Sequence, residues 1–210
     1  MLSFIIISAI CLLVAITVHE AAHAWMANYL GDPTPRLKGR LSLNPLVHLD
    51  PIGTLVLVIT GFRFGWGKPV EFDPYNLQNP KRDAALISIA GPVSNLVFAS
   101  VLSLIFRLFQ SPISFSFFLG DFFQTLIFLN IGLAVFNLIP IHPLDGGKIL
   151  IGLLPDKSGR EVDLFMSRYG FFVLLGLILP VWNGMPLVSI ITAPILNFLV
   201  SIFLPTSLVI

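Results

Sequence analysis

A short run, His19-Glu20-Ala21-Ala22-His23, carries residue types at a spacing that could do metal chemistry. On a helix, residues four apart lie on one face, roughly 5–6 Å apart at Cβ. Two imidazoles so placed can reach one metal ion, and zinc takes histidine nitrogen at about 2.0–2.1 Å. Glu20 projects beside the pair, where its carboxylate can take a proton from a water that the metal acidifies. The alternative is a polar packing patch, since so short a motif also recurs by chance. The apolar setting favours the metal. Ionisable side chains inside a membrane helix are costly and mark function, and here three stand within about one turn.

Two histidines leave a catalytic zinc short of a ligand, because such sites take three protein ligands and keep one position open. Asp145 is the best third candidate. It follows Pro140 and Pro143 and precedes Gly146-Gly147, so the backbone there is unwound. Irregular backbone at membrane depth occurs only where it is buried or lines a cavity. Asn137, at the start of the same break, could hydrogen-bond an extended substrate backbone or the water at the metal. A helix kink with a capping aspartate is the alternative for this break. His142, three residues before Asp145, fits a packed or gating role better than a metal contact. His48 lies in Asn44-Pro45-Leu46-Val47-His48-Leu49-Asp50-Pro51 and is a candidate for covering the site or touching substrate.

The elements that must position these residues belong to a membrane. Of 210 residues, 56% are hydrophobic and 11% charged, and there are 19 phenylalanines; lipid is the solvent such a chain requires. A net charge of +1 gives no case for nucleic acid. Cys11, the single cysteine, has no internal disulfide partner. Leu2 to Ala15 imitates a signal-peptide core, but no basic residue precedes it and no convincing cleavage site follows, so it reads as a retained span.

Residues 1–210 read as one domain, an all-α polytopic membrane protein. Its core spans are 2–29, 83–109 and 121–154, the last broken at 137–147. Between the first two, Arg36, Lys38 and Arg40 alternate with Leu37, Gly39 and Leu41, a period of two that predicts a strand at the interface near 36–42. Residues 52–62 are apolar but cover only about half a spanning length, which predicts a short or re-entrant segment. A hairpin-like loop is expected over 63–82, a turn over 111–120, a charged loop up to Arg168, and a helical hairpin over 169–204. Gly91-Pro92-Val93-Ser94-Asn95 interrupts the second span with small residues that let another backbone approach. All but Arg107 of the twelve Lys and Arg residues lie in 36–82 or 148–168. With 52–62 not crossing, both basic regions face one side, which the positive-inside rule makes cytoplasmic.

In these motifs the chain resembles the site-2 proteases, polytopic zinc metalloproteases that cleave membrane-protein substrates within the bilayer. The resemblance rests on His19-Glu20-Ala-Ala-His23, Asn44-Pro45 through His48 to Asp50-Pro51, Gly67-Lys68-Pro69-Val70, Gly91-Pro92 with Asn95, and Asn137 to Gly147. They run in family order over residues 17–150. The resemblance implies a three-helix catalytic core and one zinc ion on His19, His23 and Asp145. It also implies Glu20 as base and proton shuttle, with Asn95 and Asn137 lining the site. No PDZ-like or CBS-like insertion is present, which is similar to the compact prokaryotic members. Expected partners are transmembrane protein or peptide substrates and the bilayer, with the site toward the cytoplasmic face of a prokaryotic plasma membrane. The competing class is a metal transporter or a catalytically silent metal-binding protein. A transporter would string ionisable groups along a path, whereas these converge, and a silent relative would be expected to lack Glu20.

Overall fold

Without water to solvate them, backbone N–H and C=O groups must be satisfied inside their own segment, so apolar runs become helices. The computed structural model describes residues 2–59, 65–109, 117–182 and 184–204, and eight α-helices lie among them. Three are long and apolar enough to cross a membrane: α1 (Leu2–Tyr29), α4 (Pro80–Phe109) and α5 (Phe117–Asn137). The shorter helices are α2 (Thr34–Leu37), α3 (Pro51–Ile59) and α6 (Asp145–Leu153), followed by α7 (Asp156–Ile178) and α8 (Leu187–Phe203). The last two are joined by a small antiparallel pair, β1 (Pro180–Trp182) and β2 (Met185–Pro186).

Helix α4 is central, packing against α1, α5 and α6. Lipid tails are as apolar as leucine, so close packing and interhelical hydrogen bonds must hold these helices together. The buried residues fit that demand. Cys11, Ala15, Ala21, Ala24 and Ala27 of α1 are fully buried small residues that bring backbones close. Ala99, Leu102 and Phe106 of α4 meet Leu126, Ile127 and Ile131 of α5 in one apolar cluster with Val200 of α8. Arg107 donates to Ile202 O, which ties the far end of α4 to α8.

Three expectations need correction. Residues 36–42 form no strand. Asp32 Oδ1 accepts from the Thr34 N–H, Pro35 sits in the first turn of a helix over Thr34–Leu37, and Gly39 at φ +66° follows it. Such left-handed glycines are common helix stops. The alternation was misleading because Arg40 turns inward and is only 5% exposed. The loop expected up to Arg168 is instead the first half of α7. Gly159, Val162, Met166 and Gly170 form its less exposed stripe, a helical period masked by the surrounding charges. The segment 65–79 contains a single-turn helix and one isolated bridge, Leu49 with Gly67, rather than a hairpin. Residues 60–64, at the end of the expected short segment, and 110–116 of the expected turn lie outside the described residues.

Candidate metal centre

Helix α1 presents His19 and His23 one turn apart, their rings perpendicular with centroids 4.6 Å apart. Between α5 and α6 the chain unwinds over residues 138–144 and restarts with Asp145 in the first turn of α6. Gly146 permits this: a Cβ there would lie 2.2 Å from Ile139 O and 2.4 Å from Leu138 O. The result places Asp145 Oδ2 3.0 Å from His19 Nε2 and 3.2 Å from His23 Nε2. One ligand atom from each of the three lies within 4.8 Å of the others, and both histidines are buried.

The far nitrogens of both rings are committed. Asn95 Nδ2 donates to Ala15 O and to Asn130 Oδ1, so Asn95 Oδ1 is the acceptor for His19 Nδ1–H at 2.7 Å. His23 Nδ1–H donates to Ile87 O at 2.7 Å. Neutral imidazole has one N–H, so each Nε2 carries a lone pair. Two lone pairs then face a carboxylate oxygen, which is itself only an acceptor. A cation among the three resolves that conflict, and N, N and O donors with outer-sphere partners on Nδ1 suit zinc. The residues fit a metal.

Glu20 is half-buried beside this cluster, and its Oε2 accepts from the Val70 N–H at 2.9 Å. The strap that carries Val70 is tightly held. Lys68 N–H donates to His48 O at 2.8 Å, and the Arg40 guanidinium donates to the carbonyls of Val47, Lys68 and Pro69. Gly91 of α4 closes the other side, where a Cβ would stand 2.5 Å from His23 Nε2 and 2.7 Å from His19 Cε1. Its small size therefore makes room for the two imidazoles, while Ser94 and Asn95 beside it reach the α1 carbonyls of Val18 and Ala15.

The structure thus brings together His19, Glu20, His23, Asn95 and Asp145. The side chains of the other candidates make their hydrogen bonds elsewhere. Asn137 donates to Leu133 O one turn back in α5. His48 is fully buried, its Nε2 pairing with Ser42 O while Nδ1 has no partner among the described residues. His142 points to Asp163 of α7 at 3.2 Å. Sequence reasoning missed Asn130, whose buried amide supports Asn95; as a polar amide in the middle of an apolar span it was detectable by the same cost argument as the histidines. Ile87 and Val70 act through backbone atoms and leave no side-chain signal.

Comparison with known proteins accords with this geometry. Residues 107–181 match the family described as Peptidase family M50. The chain is 39% identical over 193 residues to "Putative zinc metalloprotease YwhC" of Bacillus subtilis (strain 168), covering 90% of this chain and 84% of that protein. It is 32% identical to "Putative zinc metalloprotease Rip2" of Mycolicibacterium smegmatis, covering 80% of this chain and 64% of that one. Stage IV sporulation protein FB of Bacillus subtilis is 29% identical, with 76% and 56% covered. No solved structure matches.

Proposed function

The chain belongs to peptidase family M50, the site-2 proteases, and from that premise we propose that it is a zinc endopeptidase hydrolysing peptide bonds within or beside transmembrane segments of membrane proteins. The observation that carries this reading is the convergence of His19 Nε2 and His23 Nε2 on Asp145 Oδ2, with Glu20 next to them in the chain. His19, His23 and Asp145 would hold the ion, and residues 1–210 would act as one membrane-embedded catalytic unit. Zinc bound there would polarise the scissile carbonyl and bring a water's pKa toward neutrality.

The chain's own groups do the rest. Glu20 takes the proton of the attacking water and returns it to the departing amine nitrogen. The Val70 N–H, bonded to Oε2, fixes the carboxylate's orientation and leaves Oε1 to move the proton. Asn95 and Ile87 O hold the two rings in the tautomer that offers Nε2. A substrate helix must unwind first, because its carbonyls are occupied by internal hydrogen bonds. The protein would be multi-pass in the plasma membrane, with the site toward the cytoplasm.

The test is co-expression with a panel of tagged single-span membrane proteins, comparing wild type with Glu20→Gln. Cleavage by wild type is expected to fall about 10²–10⁴-fold in the variant, the range for loss of a general acid–base group, with zinc retained. Undiminished turnover by purified Glu20→Gln protein would remove Glu20 from the mechanism.

A further inference from the structure

A cavity of about 560 Å³ lies beside the metal centre, walled by the 72–74 segment, the start of α4, His142, α6 and the first turns of α7. Its charges do not cancel. Lys81 Nζ lies 2.8 Å from Asp156 Oδ1, and His142 Nε2 lies 3.2 Å from Asp163 Oδ1. These contacts occupy both acidic residues of the lining. Lys148 and Arg160 also line the cavity, and neither forms an ion pair among the described residues. Lys148 Nζ sits 4.9 Å from the centroid of the Phe72 ring, which orients the ammonium without neutralising it. Arg160 Nε donates to Asp156 O, and after Lys81 its guanidinium helps hold the Asp156 carboxyl below its ordinary value, while the side chain stays exposed. Lys81, Lys148 and Arg160 against Asp156 and Asp163 leave this mostly apolar cavity with an excess of positive charge, which is suited to an anion.

We propose that this cavity is the subsite for an acidic side chain of the substrate, two or three residues from the bond cleaved. The inference rests on the peptidase reading above and names a feature of its substrate. What favours a peptide over a lipid headgroup is that two walls continue directly from the catalytic residues. Lys148 is three residues beyond Asp145 on α6, or about 4.5 Å along the axis. Phe72 is two residues beyond Val70, whose N–H holds Glu20, so their backbones are at most about 7 Å apart. An extended substrate advances about 3.3 Å per residue, which brings its second or third side chain from the scissile bond to the cavity. A headgroup site would need no such proximity.

Two measurements test this. In the first, detergent-solubilised Glu20→Gln protein is titrated with acetylated hexapeptides that differ only in two central residues: aspartates, asparagines or lysines. The aspartyl peptide should bind at least tenfold more tightly than the lysyl one, and adding Lys148→Glu with Arg160→Glu should reverse the order. Arg160 is exposed, so Arg160→Glu alone leaves packing intact and should still lower aspartyl-peptide affinity at least threefold. Equal affinities for the three peptides in all these proteins would overturn the proposal. In the second, aspartate and lysine are scanned through the residues flanking the cut in any substrate cleaved in a Glu20-dependent way. One position should show a kcat/KM about tenfold lower with lysine in wild type and recovered in the charge-reversed protein; a flat scan overturns the proposal. Absence of any Glu20-dependent cleavage would instead sink the peptidase reading, while the binding arm still decides the subsite. Phosphatidylglycerol that co-purifies with wild type and is lost on charge reversal, with peptide affinities unchanged, would assign the cavity to a headgroup and overturn the peptide subsite.

Discussion

His19, as a proposed zinc ligand, shows how much of such a site would be decided away from the metal. Its Nε2 is available only because Nδ1–H is taken by Asn95, and Asn95 accepts there only because its amide nitrogen is spent on Ala15 O and Asn130. A hydrogen bond between polar side chains of membrane helices contributes only about 0.6 kcal/mol on average. The chain from Asn130 through Asn95 to His19 therefore matters more for orientation than for stability. Asn95→Ala should lower zinc affinity by about 10–100-fold, the range for loss of an outer-sphere partner, with little change in thermal unfolding; chelator competition measures it. His19→Ala, His23→Ala and Asp145→Ala should each deplete zinc from purified protein. Stoichiometric zinc in the Asp145 variant by elemental analysis would remove it from the ligand set.

At the scale of elements, the connection between α1 and α4 is fastened by one carboxylate. Asp32 is fully buried and accepts from the Thr34 N–H and hydroxyl, the Asp73 N–H and the Asn76 amide. Burial alone would raise its pKa, but the donors of Thr34, Asn76 and Asp73 outweigh it and hold the carboxyl below its ordinary value. A depressed folded pKa contributes stability that is complete above the unfolded value of about 3.9 and is lost as pH falls through the folded value. The Asp73 amide should thus stay protected from exchange at neutral pH and lose protection only below about pH 4. Asp32→Asn should weaken the lock by about 1.5–3 kcal/mol at neutral pH; exchange protection factors that match wild type would show that the contact carries no stability. Local rules made part of this architecture legible. The four-residue spacing of His19 and His23 and the lengths of the spans are read within a single helix. They failed at Arg40, whose inward turn depends on the distant carbonyls of Lys68 and Pro69, and at α7, where Gly159 and Gly170 pack against Ile151 O and His142 O. The approach of Asp145 to α1 bridges 126 residues, so sequence could nominate Asp145 but not place it.

For the whole molecule, the contact between Asp32 and Asn76 also constrains topology. Asp32 lies just beyond the end of α1 and Asn76 just before the start of α4. The 2.8 Å hydrogen bond between them therefore brings the chain out of one long helix and into the next at the same end of the bundle. Whatever the intervening residues do, they must leave and return on one side, so any crossing would have to be made twice. Helix α3 has 9 residues, about 14 Å at 1.5 Å per residue, against about 30 Å of hydrocarbon; it cannot span once. Arg36, Lys38, Arg40 and Lys68 then share a face with Lys81 and Arg82, and by the positive-inside rule we propose that this face is cytoplasmic. Leu43 and Tyr75, 59% and 96% exposed, report on the two halves of the connection. With Cys11 replaced by serine, Leu43→Cys and Tyr75→Cys should both react with a membrane-impermeant thiol reagent only when the cytoplasmic face is open to it. Labelling of Tyr75→Cys from outside intact cells, with Leu43→Cys silent, would demand a crossing between them. The hydrogen bond from Asn76 to Asp32 does not allow one, so the pairing of α1 with α4 at that end would fail together with the cytoplasmic assignment.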